Sequence, residues 1–256
     1  LPATWLSARR RTILLFSLQA DGSVERLILA RYGVGSLYRG VWNPDKEDQW
    51  ACLARLVRER NPRRIGINVS EHFALADGLS HTEHRQLLAA LGLKYRRRLC
   101  SAERLAVGWL ETRLPAEITA YRGIVRVAHQ LVATAFSSQV IHPGITTTDD
   151  VAWWLRQRIH DLGLTAWFQP MVTLQAPGVD YRRTDGRRLI QPGDLLHCDL
   201  GLKYLGLCTD TQQHAYVLRP GESEAPAGLQ TALRAANRVQ DLLAAEFVAG
   251  RTGNEI

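Results

Sequence analysis

The chain has 256 residues, 46% of them hydrophobic, which is enough to bury one large core or two smaller ones. No apolar run approaches the roughly 18 residues that a membrane-spanning helix needs, so the sequence predicts no such helix and no membrane partner. The net charge is +7, but it is unevenly placed: residues 1–100 carry 17 Lys and Arg against 9 Asp and Glu, and residues 101–256 carry 15 against 16. This step predicts two domains of different character.

Two basic runs in the first part raise the question of nucleic-acid binding. They are "RERNPRR" at 58–64 and "YRRRL" at 95–99. Arginine runs of this kind can contact a phosphate backbone, but neither a zinc-finger nor an RNP-type pattern accompanies them. We therefore expect a solvated basic surface and do not favour a nucleic-acid partner.

The termini and the cysteines leave the cellular compartment open. No signal peptide is visible after Leu1, and the single methionine is Met171, so we expect a fragment truncated at both ends. The four cysteines form no CxxC pair and are expected to be free thiols. They are Cys52, Cys100, Cys198 and Cys208. We favour the cytoplasm, with a secreted or periplasmic location as the alternative.

In the first part, short apolar strands alternate with helices. The spacing of apolar residues predicts a helix over 48–60. A second helix is predicted over 80–92, with Ser80 as N-cap, Glu83 completing a capping box and Gly92 ending it. The predicted strands are "RTILLFSL", "RLILARY" and "RRIGINVS". Alternating strands and helices indicate an α/β domain over residues 1–105.

Two capped helices open the second part, residues 106–256. Pro115 suits the first position of a helix, and Glu117 suits the first turn, where the helix dipole favours an anion. A second helix is capped by Thr147 or Thr148, and Gly163 ends it. The sequence that follows is extended and punctuated by Pro and Gly.

Two aspartates, Asp199 and Asp210, interrupt a stretch over 195–218 that otherwise is typical of a β-hairpin. If the turn over 203–206 is centred between Tyr204 and Leu205, the two carboxylates lie directly opposite each other on one face. Like charges so close require a cation between them, and carboxylates suit manganese, magnesium or zinc. The alternative is that one aspartate caps a turn and the other faces solvent.

The segment "DLGLKYLGLCTDT" resembles the metal-binding hairpin of the pita-bread metallopeptidases, the superfamily of creatinase, aminopeptidase P, prolidase and methionine aminopeptidase. The matching positions are Asp199, Gly201, Tyr204, Gly206 and Asp210. The segments "RLPAEITAYRGIVRVAH", "IHPGITTTDDVAWWLRQ" and "QPGDLLHCD" are similar to other parts of the same domain and occur in the same order. The resemblance implies an α/β (α+β) protein of the aminopeptidase P branch, with a creatinase-like N-terminal domain and an incomplete pita-bread catalytic domain.

The resemblance also implies a function. Asp199 would chelate one divalent metal ion and Asp210 would bridge two, with manganese favoured and zinc or cobalt as alternatives. A hydroxide between the ions would hydrolyse a peptide substrate, with Xaa-Pro bonds favoured. The remaining family ligands, one His and two Glu, have no counterpart in this sequence, so we expect the chain alone to be inactive. A homodimer is compatible with the sequence. The alternative is a metal-free pita-bread protein that serves as a binding scaffold.

Two departures from the family pattern put the substrate in question. Residues 175–190 contain no histidine, although family members commonly place a substrate-contacting histidine there, and Gln212-Gln213 replaces a usual Thr-Arg. His197 and His214 are expected on the same face as the aspartates. We interpret them as hydrogen-bonding or partly exposed residues, with a His197-x-Asp199 ligand pair as the alternative.

Overall fold

The computed structural model describes residues 11–33, 35–179 and 188–256. The chain divides into two compact units, Leu1–Thr112 and Arg113–Ile256. Each unit has its own cluster of buried apolar side chains. None of the helices in the described residues is both long and apolar enough to cross a membrane.

The first unit mixes strands and helices, which confirms the predicted α/β class for this part of the chain. Strand β1 pairs antiparallel with β2, β2 pairs parallel with β3, and β4 pairs parallel with β5. The strands are β1 (Ile13–Leu18), β2 (Val24–Leu29), β3 (Arg39–Gly40), β4 (Ile65–Ile67) and β5 (Leu99–Ser101). The helices are α1 (Gln49–Arg60), α2 (His81–Arg96) and α3 (Glu103–Glu111), with a 3₁₀ turn at Ala74–Ala76.

Both α1 and α2 have N-terminal caps, and the cap of α2 is the one that the sequence predicts. The Asp48 side chain accepts hydrogen bonds from the backbone of the first turn of α1. At α2 the capping box is present: Ser80 accepts from the Glu83 backbone, and the Glu83 carboxylate accepts from the Ser80 backbone. Gly92 departs from helical geometry, with φ 68° and ψ 171°, yet helical structure resumes and α2 ends at Arg96. The predicted stop is therefore a break within a longer helix.

The second unit contains two antiparallel three-stranded sheets, in the orders β7–β8–β11 and β6–β9–β10. The strands are β6 (Thr165–Ala166), β7 (Met171–Gln175), β8 (Leu195–Leu200), β9 (Leu202–Tyr204), β10 (Leu207–Cys208) and β11 (Thr211–Tyr216). The helices are α4 (Pro115–Ala135), α5 (Thr148–Asp161) and α6 (Ala227–Glu246), with a 3₁₀ turn at Gly253–Glu255. Both helix starts follow the prediction, because Pro115 is the first residue of α4 and Thr147 caps α5.

The central strand β8 positions the candidate site by alternation. Leu196, Cys198 and Leu200 are buried in the core that α4 and α5 cover. Side chains alternate along a strand, so His197 and Asp199 lie on the other side of the sheet. We call that side, which carries His197, Asp199, Gln212 and His214, the polar face.

The cysteines are free thiols, as predicted, and two of them are buried. Burial raises the pKa of Cys52 to about 11 and that of Cys198 to about 12, since a thiolate is poorly solvated inside the protein. These two thiols belong to the cores of the first and second units.

Candidate metal centre

The hairpin that carries both aspartates has a different register from the one that the sequence suggested. In the β8–β11 ladder Leu200 pairs with Thr211, and Asp199 pairs with Gln212. The prediction that Asp199 and Asp210 lie directly opposite each other is therefore wrong. Asp210 precedes β11 and lies two residues before the direct partner of Asp199.

The turn explains the shift. Leu205 and Gly206 both have positive φ, 51° and 80°, and form the two-residue connection between β9 and β10, where Tyr204 pairs with Leu207. Two-residue hairpins require this backbone twist, so the turn is centred between Leu205 and Gly206, one residue later than predicted. Burial alternates from Thr209 to Gln212, which leaves Asp210 on the exposed side with Gln212. Asp199 and Asp210 are thus diagonal neighbours, a relationship that separates residues by about 7–8 Å in antiparallel sheets.

The environment of Asp199 fits a cation ligand. Its Oδ1 atom is buried and has no hydrogen-bond partner, although the residue as a whole is only half-buried. A buried carboxylate oxygen without a donor destabilises the fold, and a hard divalent cation would compensate it. Asp210 is exposed at the diagonal position across the hairpin. Among the described residues, however, no three His, Cys, Asp or Glu side chains are grouped so as to hold a metal ion.

An aromatic pair fixes the backbone between the two aspartates. The Trp167 indole Nε1 donates to the Thr209 carbonyl at 2.6 Å, and the Trp167 and Phe168 rings meet edge to face at 4.7 Å. Both rings lie so close to Gly201 that an added Cβ would stand 2.2 Å from the Trp167 Nε1 and 2.3 Å from the Phe168 ring. The buried Thr209 hydroxyl accepts from the Leu202 backbone at 3.0 Å. Gly201 is therefore needed for close packing beside the candidate site.

His197 and His214 form a direct cross-strand pair on the polar face. Their ring centroids are 4.9 Å apart, with the planes inclined at 44°. His197 Nε2 lies 3.1 Å from the Gln212 Oε1, so the expected hydrogen-bonding role is found for His197, and the exposed position of His214 also agrees with the expectation. Partial desolvation of the ring, together with the neighbouring His197, lowers the pKa of His214. This pairing is not predicted from the sequence, because it follows only when the turn is centred between Leu205 and Gly206.

The segment that leads to the hairpin is described only in part. Residues 180–187 lie outside the described residues, and they make up half of the stretch 175–190 where the family histidine is missing. Of the two glutamines that replace the family Thr-Arg, Gln212 is exposed on the polar face and Gln213 pairs with Cys198.

Residues 120–256 match the model of metallopeptidase family M24, which is more than half of the chain. The chain belongs to metallopeptidase family M24. The match contains the whole of the hairpin and both aspartates. It confirms the family that the motif resemblance implied.

Similar proteins agree with membership of M24. A predicted Xaa-Pro aminopeptidase of Mycoplasma pneumoniae is 26% identical over 98 residues, which are 38% of this chain and 27% of that protein. The crystal structure of the X-Pro aminopeptidase from Thermotoga maritima has a TM-score of 0.57 at 14% identity, covering 86% of this chain and 65% of that one. Zinc-substituted aminopeptidase P from E. coli, in complex with product, has a TM-score of 0.53 at 14% identity, covering 81% and 50%. The M24 chain described here thus spans between about a quarter and two thirds of these relatives, and the solved structures support the fold.

Proposed function

We propose that this chain forms part of a metal-dependent aminopeptidase or dipeptidase that hydrolyses Xaa-Pro peptide bonds. The observation that carries the proposal is the buried, unpartnered Oδ1 of Asp199 within a hairpin that belongs to family M24. Relatives named as Xaa-Pro aminopeptidases support the choice of substrate.

In this proposal Asp199 and Asp210 would hold two divalent ions, with Asp199 as a ligand of one ion and Asp210 as a ligand of both. Manganese is our first choice, with zinc or cobalt as alternatives, since carboxylate oxygens accept all three. When bound, such ions polarise a carbonyl and lower the pKa of water. The chain contributes rigidity: Asp199 lies on the central strand of its sheet, and the Trp167 hydrogen bond holds the Thr209 carbonyl next to Asp210.

The domain assignment belongs to the same proposal. We assign residues 1–105 to a creatinase-like N-terminal domain and residues 106–256 to the pita-bread metallopeptidase domain. The separate cores of the two units support this assignment. A peptide is the proposed substrate, and a homodimer remains compatible with it.

The proposal is tested on the full gene product that carries this sequence. Xaa-Pro dipeptides and tripeptides are compared with their Xaa-Ala counterparts, with manganese present or after chelation. We expect the Xaa-Pro peptides to be hydrolysed in a manganese-dependent manner. Asp199→Asn and Asp210→Asn should each abolish this hydrolysis. Asp241→Asn, at an exposed position of α6, is the control and should retain full activity.

The same experiment separates the alternative function. A metal-free binding protein would show neither hydrolysis nor manganese binding, and the two aspartate variants would behave like the parent. That result would overturn the peptidase proposal in favour of a scaffold.

A further inference from the structure

We propose that His197 and His214 form a bis-imidazole binding site for a borderline transition-metal ion such as Zn²⁺, Ni²⁺ or Cu²⁺. The site lies on the polar face of the β8–β11 pair. It uses a different donor set from the Asp199–Asp210 pair, and it does not depend on the proposed peptidase activity. The family resemblance gives neither histidine a metal role.

The spacing of the two rings suits a shared ion. Imidazole nitrogens bind zinc at about 2.0–2.1 Å, so two nitrogens on one tetrahedral ion stand about 3.4 Å apart. Ring nitrogens lie about 1 Å from the ring centre, and the 4.9 Å between the centroids therefore accommodates that separation with small side-chain rotations. Direct cross-strand pairing holds both Cβ atoms at one level of the ladder, so little conformational freedom is lost on binding.

The side chains around the two histidines leave ring nitrogens available to bind a metal ion. The Nε2 of His197 and the Oε1 of Gln212 are within hydrogen-bond distance, at 3.1 Å. If Nε2–H donates to that amide oxygen, the ring is oriented and Nδ1 keeps a free lone pair. His214 is exposed, so water can complete the coordination of an ion. Imidazole prefers zinc, copper and nickel, whereas carboxylate oxygen suits manganese and magnesium, and the two kinds of ion should therefore separate between the two sites.

Binding is measured on the 256-residue chain by calorimetric titration with zinc and nickel chloride and by electron paramagnetic resonance with Cu²⁺. We expect one equivalent of Cu²⁺ with a two-nitrogen hyperfine pattern. His197→Ala and His214→Ala should each weaken zinc binding by about 100-fold, because a single imidazole loses the second, tethered ligand. His160→Ala removes an exposed histidine of α5 and should leave binding unchanged.

A further variant is expected to tighten zinc binding, so its result cannot be explained by a failure to fold. Thr173 on β7 is exposed and is the partner of His197 on the side opposite His214. Thr173→His places a third imidazole in the same row and should tighten zinc binding about tenfold or more.

Several results would overturn the inference. These are zinc affinity equal in wild type and His214→Ala, a Cu²⁺ spectrum with one nitrogen or none, or no gain from Thr173→His. Loss of zinc binding in Asp199→Asn as large as in His214→Ala would also overturn a separate imidazole site. If the peptidase proposal fails, the full gene product will show no manganese-dependent hydrolysis, while the two histidines still bind zinc. The failure of one proposal can therefore be told from the failure of the other.

Discussion

Asp199 and Asp210 are offset by two residues across the hairpin: the direct partner of Asp199 is Gln212, and Asp210 precedes β11. Directly opposite residues have Cβ atoms about 5 Å apart, whereas diagonal neighbours such as these stand about 7–8 Å apart. The greater distance weakens the electrostatic repulsion between the two carboxylates. The offset leaves room for an ion between the carboxylates and gives the position directly opposite Asp199 to an amide side chain.

Gly201 offers a direct test of the packing beside the candidate site. Gly201→Ala should destabilise the chain by about 3 kcal/mol, because the new methyl group overlaps the Trp167 and Phe168 rings. The urea midpoint reports the loss. Gly123→Ala in α4 is the matched control, since nothing lies within 4 Å of an added Cβ there. That substitution should be neutral or stabilising by up to about 1 kcal/mol. Equal effects of the two substitutions would show that the aromatic contact is unimportant.

A network around Glu25 predicts a pH dependence of the first unit. Arg60 donates to the Glu25 carboxylate at 2.6 and 3.0 Å, and Arg39 donates to its other oxygen. The hydrogen bonds from Arg60, with a smaller contribution from Arg39, lower the pKa of Glu25 below its ordinary 4.5. A lowered carboxylate pKa stabilises the fold above the unfolded value, and this stabilisation is lost as the pH falls through the folded value.

Glu25→Gln should therefore lower the urea midpoint at pH 7, by an amount equivalent to about 1 kcal/mol or less. The difference in urea midpoint between Glu25→Gln and wild type should be smaller at pH 3 than at pH 7. Glu71→Gln, at an exposed position of the first unit, should leave the urea midpoint unchanged at both pH values. A Glu25→Gln effect of the same size at both pH values would contradict the account.

The domain boundary can be located by limited proteolysis of the whole chain. The division between Thr112 and Arg113 and the separate cores predict a resistant fragment that ends between residues 100 and 115. Mass spectrometry of thermolysin digests identifies the cut, with urea-unfolded chain as the reference. Cuts scattered evenly over residues 11–100 would argue against a separable first domain.

The 256-residue chain should not hydrolyse Xaa-Pro peptides, even with excess manganese. Its described residues contain no group of three metal-binding side chains, so the ions would be held too weakly for turnover. Release of proline from Xaa-Pro dipeptides is measured on rigorously purified chain. Turnover that disappears in Asp199→Asn would show that further ligands exist in this chain.

The starts of helices could be predicted from the sequence more reliably than the pairing of strands. Helices α2 and α4 begin as predicted because Ser80, Glu83 and Pro115 act within one turn of the backbone. The hairpin register depends on positive φ at Leu205, and leucine gives no sign of that conformation. Because the predicted turn centre was wrong by one residue, Asp210 was predicted as the cross-strand partner of Asp199 in place of Gln212. The same error concealed the pairing of His197 with His214. The unpartnered Oδ1 of Asp199 is a property of tertiary packing that no sequence pattern reveals.

The most direct test of the central claim, that Asp199 and Asp210 hold a divalent cation, is paramagnetic broadening by Mn²⁺ in the ¹⁵N spectrum of the chain. With two carboxylates, we expect a Kd on the order of 1 mM. The amides of Asp199 and Asp210 should broaden first, and Asp199→Asn should abolish this selectivity, while Asp241→Asn should preserve it. Broadening that is uniform over the chain, or that is unchanged in Asp199→Asn, would contradict the metal assignment.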